Sequence, residues 1–240
     1  MSNKVNKLSE TIAAQASAQG VSGISVIRVS GNESKSIAKK VTGKTLTHMK
    51  AQHTDFFDSD GVAIDNVVVL FFASPASYTG EDVLEISCHG SVAVVDAILK
   101  TLYEQGARQA NAGEFTKRAF LNDKLDLTQA EAVADLIESG SAETARAAKN
   151  SLEGLFSKKT LNLLDAITEL RANIEASLDF PEEDLEQTGH NQKIKKMFSQ
   201  TNKHYLSLLE ETKVACKIRE GLVVAITGEP NVGKSTLLNR

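Results

Sequence analysis

The chain has 240 residues, a hydrophobic fraction of 41%, a charged fraction of 24% and a formal net charge of −4. That length and apolar content suffice for one large domain or two modest ones, each with a buried core. The acidic balance excludes a nucleic-acid binder that works through global positive charge, while leaving room for an RNA recognised by a local patch.

The two cysteines, Cys88 and Cys216, are far apart and form no C-x-x-C pair. This reads as a reducing, cytosolic protein without a disulfide framework. The start, Met1-Ser2-Asn3-Lys4-Val5-Asn6-Lys7, lacks the apolar stretch of a signal peptide, and there is no run of 18 apolar residues to make a membrane helix.

Over the first hundred or so residues, short apolar strands alternate with short helices. Ile24-Ser25-Val26-Ile27-Arg28-Val29 alternates with period two and predicts a strand, ended by Gly31, and residues 34–41 predict a helix. Val67-Val68-Val69-Leu70-Phe71-Phe72 and Val83-Leu84-Glu85-Ile86-Ser87 predict two further strands. Val95, Ile98, Leu99 and Leu102 have helical spacing within residues 92–103. There are more strands than a parallel βαβ series would give, so the expected class is α+β.

From Thr128 the texture becomes helical. Thr128-Gln129-Ala130-Glu131 has the pattern of a capping box opening a helix to about Glu138. Ala145, Ala148, Leu152, Leu155, Leu163, Ile167, Leu170, Ile174 and Leu178 then recur mostly at three and four. They predict one long helix with a single apolar stripe over about nine turns. Pro181 is expected to stop it, and an acidic loop, Pro181-Glu182-Glu183-Asp184, leads to a second helix carrying Ile194, Met197, Phe198, Tyr205, Leu208 and Leu209. The two helices are expected to pair antiparallel, with a stripe long enough to need further partners.

The last twenty residues open with a β-rich run, Leu222-Val223-Val224-Ala225-Ile226. Gly228-Glu229-Pro230-Asn231-Val232-Gly233-Lys234-Ser235 follows and fits the phosphate-binding P-loop, G-x-x-x-x-G-K-[ST]. Gly228 and Gly233 let the backbone turn so that successive N–H groups line one concavity suited to phosphates. Lys234 has the reach for the β- and γ-phosphates, and the Ser235 hydroxyl suits Mg²⁺. The expected nucleotide contacts are Gly228, Asn231, Val232, Gly233, Lys234, Ser235 and Thr236. The P-loop alone does not choose GTP over ATP.

Three further stretches are distinctive. They are Tyr78-Thr79-Gly80-Glu81-Asp82-Val83-Leu84-Glu85, the segment Gly113-Glu114-Phe115-Thr116-Lys117-Arg118-Ala119-Phe120-Leu121-Asn122-Asp123-Lys124-Leu125-Asp126-Leu127, and Asp179-Phe180-Pro181-Glu182-Glu183-Asp184. With the P-loop and its Asn231 they resemble, in the same order, the MnmE (TrmE) family of tRNA-modification GTPases. Ala18-Gln19-Gly20, Ser91 and Ala112 depart from that family's pattern at backbone-shaping positions.

The resemblance implies an α+β N-terminal domain at 1–120 that dimerises and binds a reduced folate. It implies the first, incomplete part of an all-α helical domain at 121–216, and at 217–240 the first strand and P-loop of an α/β Ras-like G domain. The chain is accordingly expected to be an N-terminal fragment, or the product of a truncated frame, and inactive as a GTPase by itself. Folate contacts are implied at Arg28, Glu85 and Lys124, Mg²⁺ binding at Ser235 and K⁺ binding at Asn231, with no catalytic residue identifiable. The implied activity is GTP-dependent modification of C5 of the wobble uridine of certain tRNAs. The one-carbon unit would come from 5-formyl- or methylene-tetrahydrofolate, and a cytoplasmic partner of the MnmG (GidA) type would carry FAD. The alternatives are a non-catalytic folate-binding and dimerising module, or another translation-linked P-loop GTPase.

Other charged groups carry blander readings. Cys88-His89 reads as a metal pair or as loop structure. The acidic run at Glu182 reads as a metal site or a solvated cap. Lys193, Lys195, Lys196 and Lys203 read as tRNA contacts or a solvated helix face.

Overall fold

A computed structural model describes residues 10–179, 187–220, 225–229 and 232–238. The chain divides into two compact units, residues 1–130 and 131–240.

In the first unit a six-stranded sheet is built from β1 (Ile12–Gln15), β2 (Ser22–Ser30), β3 (Gln52–Phe57), β4 (Ala63–Phe72), β5 (Val83–Gly90) and β6 (Arg108–Gln109). The spatial order is β3-β4-β5-β2-β1-β6, antiparallel throughout except for the β1–β6 pair. The alternation seen in the sequence sets the faces. Ile27 and Val29 of β2, Leu84 and Ile86 of β5, and Val67, Val69 and Phe71 of β4 all fall on one face and are buried. Helices α1 (Ser34–Thr42) and α2 (Val92–Glu104) cover that face with Ile37, Val41, Val95, Ile98 and Leu102. Burying each such side chain contributes about 1.5–3 kcal/mol. The opposite face carries Arg28, Leu70 and Glu85, and beside it runs α3 (Glu114–Leu121).

Beyond the first unit's sheet come α4 (Leu127–Glu138), α5 (Ala142–Leu152), α6 (Leu155–Asp179) and α7 (Gln187–Glu220). The expected antiparallel pairing is present within the second unit: Lys159, early in α6, bonds Glu211, late in α7. Much of the apolar stripe stays in solvent, with Leu155, Ile167, Ile174 and Leu178 exposed and only Ala148 and Leu170 of it buried. Among the described residues, no helix is long and apolar enough to cross a membrane.

Two sequence expectations need correction. The capping box lies at Asp126 and Gln129. The Asp126 carboxylate accepts from Gln129 N–H at 2.9 Å, and the Gln129 side-chain oxygen accepts from Asp126 N–H at 2.9 Å. An ionised aspartate is the stronger acceptor for a helix's first N–H groups, so Thr128 is displaced into the first turn. The long stripe is also two helices. Gly154 adopts φ +76°, a left-handed conformation that ends α5, and α6 restarts at Leu155. The spacing of apolar residues survives the break, which is why periodicity alone concealed it.

The acidic loop at residues 181–184, Leu222 to Val224, Pro230 and Asn231 lie outside the described residues, and Ala225 to Gly228 run irregularly into the loop that follows.

Candidate functional site

Arg28 and Glu85 are directly opposed in the β2–β5 ladder. Because Leu84 and Ile86 point into the core, Glu85 must stand on the other face. There Arg28 Nε and Nη2 donate to Glu85 Oε1 at 2.9 and 2.7 Å, both side chains about a quarter exposed. The guanidinium carbon lies 5.0 Å from the Tyr78 ring centre and 5.6 Å from that of Phe115. Planar guanidinium on aromatic faces is a stable arrangement that also fixes its orientation.

Glu85 and Lys124 line one pocket of about 240 Å³, whose walls include Phe72, Tyr78, Val83 and Met49. Lys124 Nζ donates to Pro75 O at 3.1 Å. Its position is set by the end of α3. Asp123 adopts φ +55°, its N–H donates to Phe120 O at 3.2 Å, and Lys124 N–H donates to Ala119 O at 2.9 Å. These are the two bonds of a Schellman termination. Gly80, at φ +79°, passes so close to this turn that a Cβ there would lie 3.1 Å from Asn122 Cβ and 3.3 Å from Lys124 Cγ. The structure thus brings Arg28, Glu85 and Lys124 to one face of the first unit.

A buried polar hub supports the pocket. Arg118 is 1% exposed. Its Nη1 donates to both oxygens of Glu81 at 3.2 and 2.9 Å, and its Nη2 donates to the Glu10 carbonyl at 2.8 Å. Glu81 also accepts from Ser30 Oγ at 2.7 Å, two residues beyond Arg28. The hub ties the β4–β5 loop, which carries Tyr78, to α3, which carries Phe115. Tyr78 OH and Thr116 Oγ1 add a 2.8 Å bond between the same two segments. Next to the hub, Glu114 takes two guanidinium bonds from Arg108, at 2.7 and 3.0 Å. Those bonds, against the opposing effect of burial, hold the Glu114 carboxyl down at about 2, and Glu114 in turn raises the Arg108 guanidinium above its usual range.

Cys88 and His89 lie in β5 rather than in the expected loop, and they cannot share one ion because they project to opposite faces of that strand. The Cys88 thiol is buried, and burial pushes it up to about 11. His89 Nδ1 pairs with Asp65 at 2.7 Å. Burial opposes ionisation of Asp65, but hydrogen bonds from His89 and Asn66 outweigh it and lower its pKa. Lys193, Lys195, Lys196 and Lys203 are exposed on α7.

In the second unit, Gly233 has φ +89° and is followed by a short helix, α8 (Lys234–Leu238). Lys234 Nζ donates to the carbonyls of Gly228 at 2.9 Å and Glu229 at 2.6 Å, so the ammonium lies over the loop. Val232, Ser235 and Thr236 are exposed. Asn231 lies outside the described residues.

Sequence reasoning missed Tyr78 and Met49 as parts of the pocket, Phe115 as a ring against Arg28, and Arg118–Glu81 as their support. Tyr78, Glu81, Phe115 and Arg118 all sit within the two distinctive stretches around Gly80 and Gly113. In a chain only 5% aromatic, a tyrosine and a phenylalanine there were the available signal.

Fold and site together define a chain that joins an α+β pocket domain to a helical unit and a P-loop sequence. Residues 11–124 match the family model described as the N-terminus of the GTP-binding protein TrmE, and residues 127–228 match the MnmE helical domain. The tRNA modification GTPase MnmE of Coxiella burnetii (strain Dugway 5J108-111) is 50% identical over 231 residues, 96% of this chain and 50% of that protein. That of Pseudomonas entomophila (strain L48) is 44% identical over 238 residues, 98% of this chain and 52% of the relative. The chain belongs to the MnmE (TrmE) family, and it spans about half the length of the curated relatives it matches.

Proposed function

We propose that this chain is part of a GTP-dependent tRNA-modifying protein whose first unit binds a reduced folate, with Arg28, Glu85 and Lys124 as its polar contacts. The observation that carries the reading is the shared pocket of Glu85 and Lys124. Its donor set fits a pterin: a carboxylate accepts the amino group and adjacent ring N–H side by side, apolar walls take the ring faces, and cations suit a carbonyl oxygen or the anionic tail. The folate supplies the one-carbon unit for C5 of the tRNA wobble uridine, and an FAD-carrying partner of the MnmG (GidA) type supplies the flavin. Gly228, Asn231, Val232, Gly233, Lys234, Ser235 and Thr236 bind GTP, with Ser235 on Mg²⁺ and Asn231 on K⁺. The protein works in the cytoplasm as a homodimer joined through its first unit.

Titration calorimetry of the 240-residue chain with 5-formyltetrahydrofolate tests the pocket. One site per chain is expected, weakened roughly tenfold by Lys124→Ala. No saturable binding by the folded wild type rejects the reading. Mass spectrometry of tRNA nucleosides from cells lacking the gene tests the rest: loss of the wobble C5 group is expected, and its retention contradicts the proposal.

A further inference from the structure

Met49 stands in the pocket wall with a backbone φ of +55°. The left-handed region is uncommon for a residue with a long side chain, and glycine or asparagine adopts it at less cost. The surroundings enforce it. Met49 N–H donates to Phe71 O at 2.8 Å, His48 pairs with Phe71 in a parallel bridge, and His48 Nδ1 accepts the Ala73 N–H at 2.9 Å. Packing does not compensate for the conformation, because Met49 is 65% exposed. Strain held at the rim of a pocket, on an apolar side chain left in solvent, points to a role realised only when the pocket is filled.

We propose that Met49 is a ligand-contacting, specificity-determining residue that closes over one face of the ring bound at Glu85. This rests on the reduced-folate reading of the same pocket. An unbranched thioether adapts to the outline of a heteroaromatic ring and makes favourable sulfur–ring contacts. Glu85 reads the ring's polar edge from the sheet, while Met49 contributes apolar area that is exposed in the free protein and covered in the complex.

The test uses the 240-residue chain, 5-formyltetrahydrofolate and three variants. Met49→Gly and Met49→Asn relieve the backbone, so their unfolding midpoints should equal or exceed that of the wild type. Their affinity should nevertheless fall roughly five- to thirtyfold, while Met49→Leu stays within about threefold, by loss or retention of apolar contact. The chain has three methionines, so ¹³C-methyl labelling gives a direct readout. The Met49 resonance, assigned by its loss in Met49→Leu, should shift on ligand addition while that of Met197 in α7 does not. Wild-type affinity in Met49→Gly, a lowered unfolding midpoint in that variant, or an unmoved Met49 methyl at saturation each overturns the proposal. Failure of the wild type to bind at all removes the folate reading itself, and this inference with it.

Discussion

Arg28 and Glu85, fifty-seven residues apart in sequence, meet as direct partners across the β2–β5 ladder, both guanidinium contacts falling on Oε1. The pair stands on the face of the sheet that the core does not use. Strand alternation therefore puts a charged pair and an apolar core back to back on β2 and β5. Tyr78 and Phe115 steady the arginine, and the Arg118–Glu81 hub holds the segments that carry those rings.

Arg118→Ala should destabilise the first unit by about 3–5 kcal/mol, the cost of breaking a buried ion pair and leaving one partner behind. Arg118→Lys should recover only part of this, because a single ammonium nitrogen cannot replace the planar fork that sends Nη1 to Glu81 and Nη2 to the Glu10 carbonyl. Urea unfolding checks both, and a wild-type midpoint for Arg118→Ala would show that the hub contributes nothing to stability.

The depressed Glu114 predicts a pH dependence. Its folded pKa of about 2 lies below the ordinary carboxylate value, so its contribution is fully present above the unfolded pKa and fades as pH falls through the folded one. The stability difference between wild type and Glu114→Gln should be of order 2–3 kcal/mol near neutrality. It should be constant above about pH 5 and shrink between about pH 4.5 and 2. A difference that does not vary over that acid range contradicts the assignment.

Asp123 occupies the left-handed end of α3 that aims Lys124. Asp123→Gly should gain up to about 1 kcal/mol and Asp123→Val should lose about 1–2 kcal/mol, with weaker folate binding because Lys124 moves. Parallel melting and titration curves check this, and equal stability of the glycine and valine variants would contradict it.

The strongly patterned elements were legible in the sequence. β2, β4 and β5 alternate or run apolar because they form the centre of the sheet, and α1, α2 and α7 follow their spacing. β3, Gln52–Phe57, lies at the sheet edge, where polar residues dilute the alternation. β1 and β6 are short strands defined by the ladder they join more than by their own residues. The break at Gly154 and the shift of the capping box to Asp126 depend on single residues, to which a periodicity argument is blind. Arg28, Glu85 and Lys124 were identifiable only through the family's motifs. What the motifs did not contain was the ladder register that makes two of them partners, or the strained Met49 facing the same pocket.

Whether Glu85 reads the ring of a reduced folate is measured most directly by titrating the wild-type chain and Glu85→Gln with 5-formyltetrahydrofolate. The Arg28–Glu85 pair is partly exposed, so its loss should cost under about 1 kcal/mol of stability and leave the fold intact. Loss of a charged acceptor costs about 1.5–3 kcal/mol, so affinity should fall roughly ten- to a hundredfold. An affinity unchanged in Glu85→Gln removes Glu85 from the site, and a folded wild type that binds no reduced folate removes Arg28, Glu85 and Lys124 together.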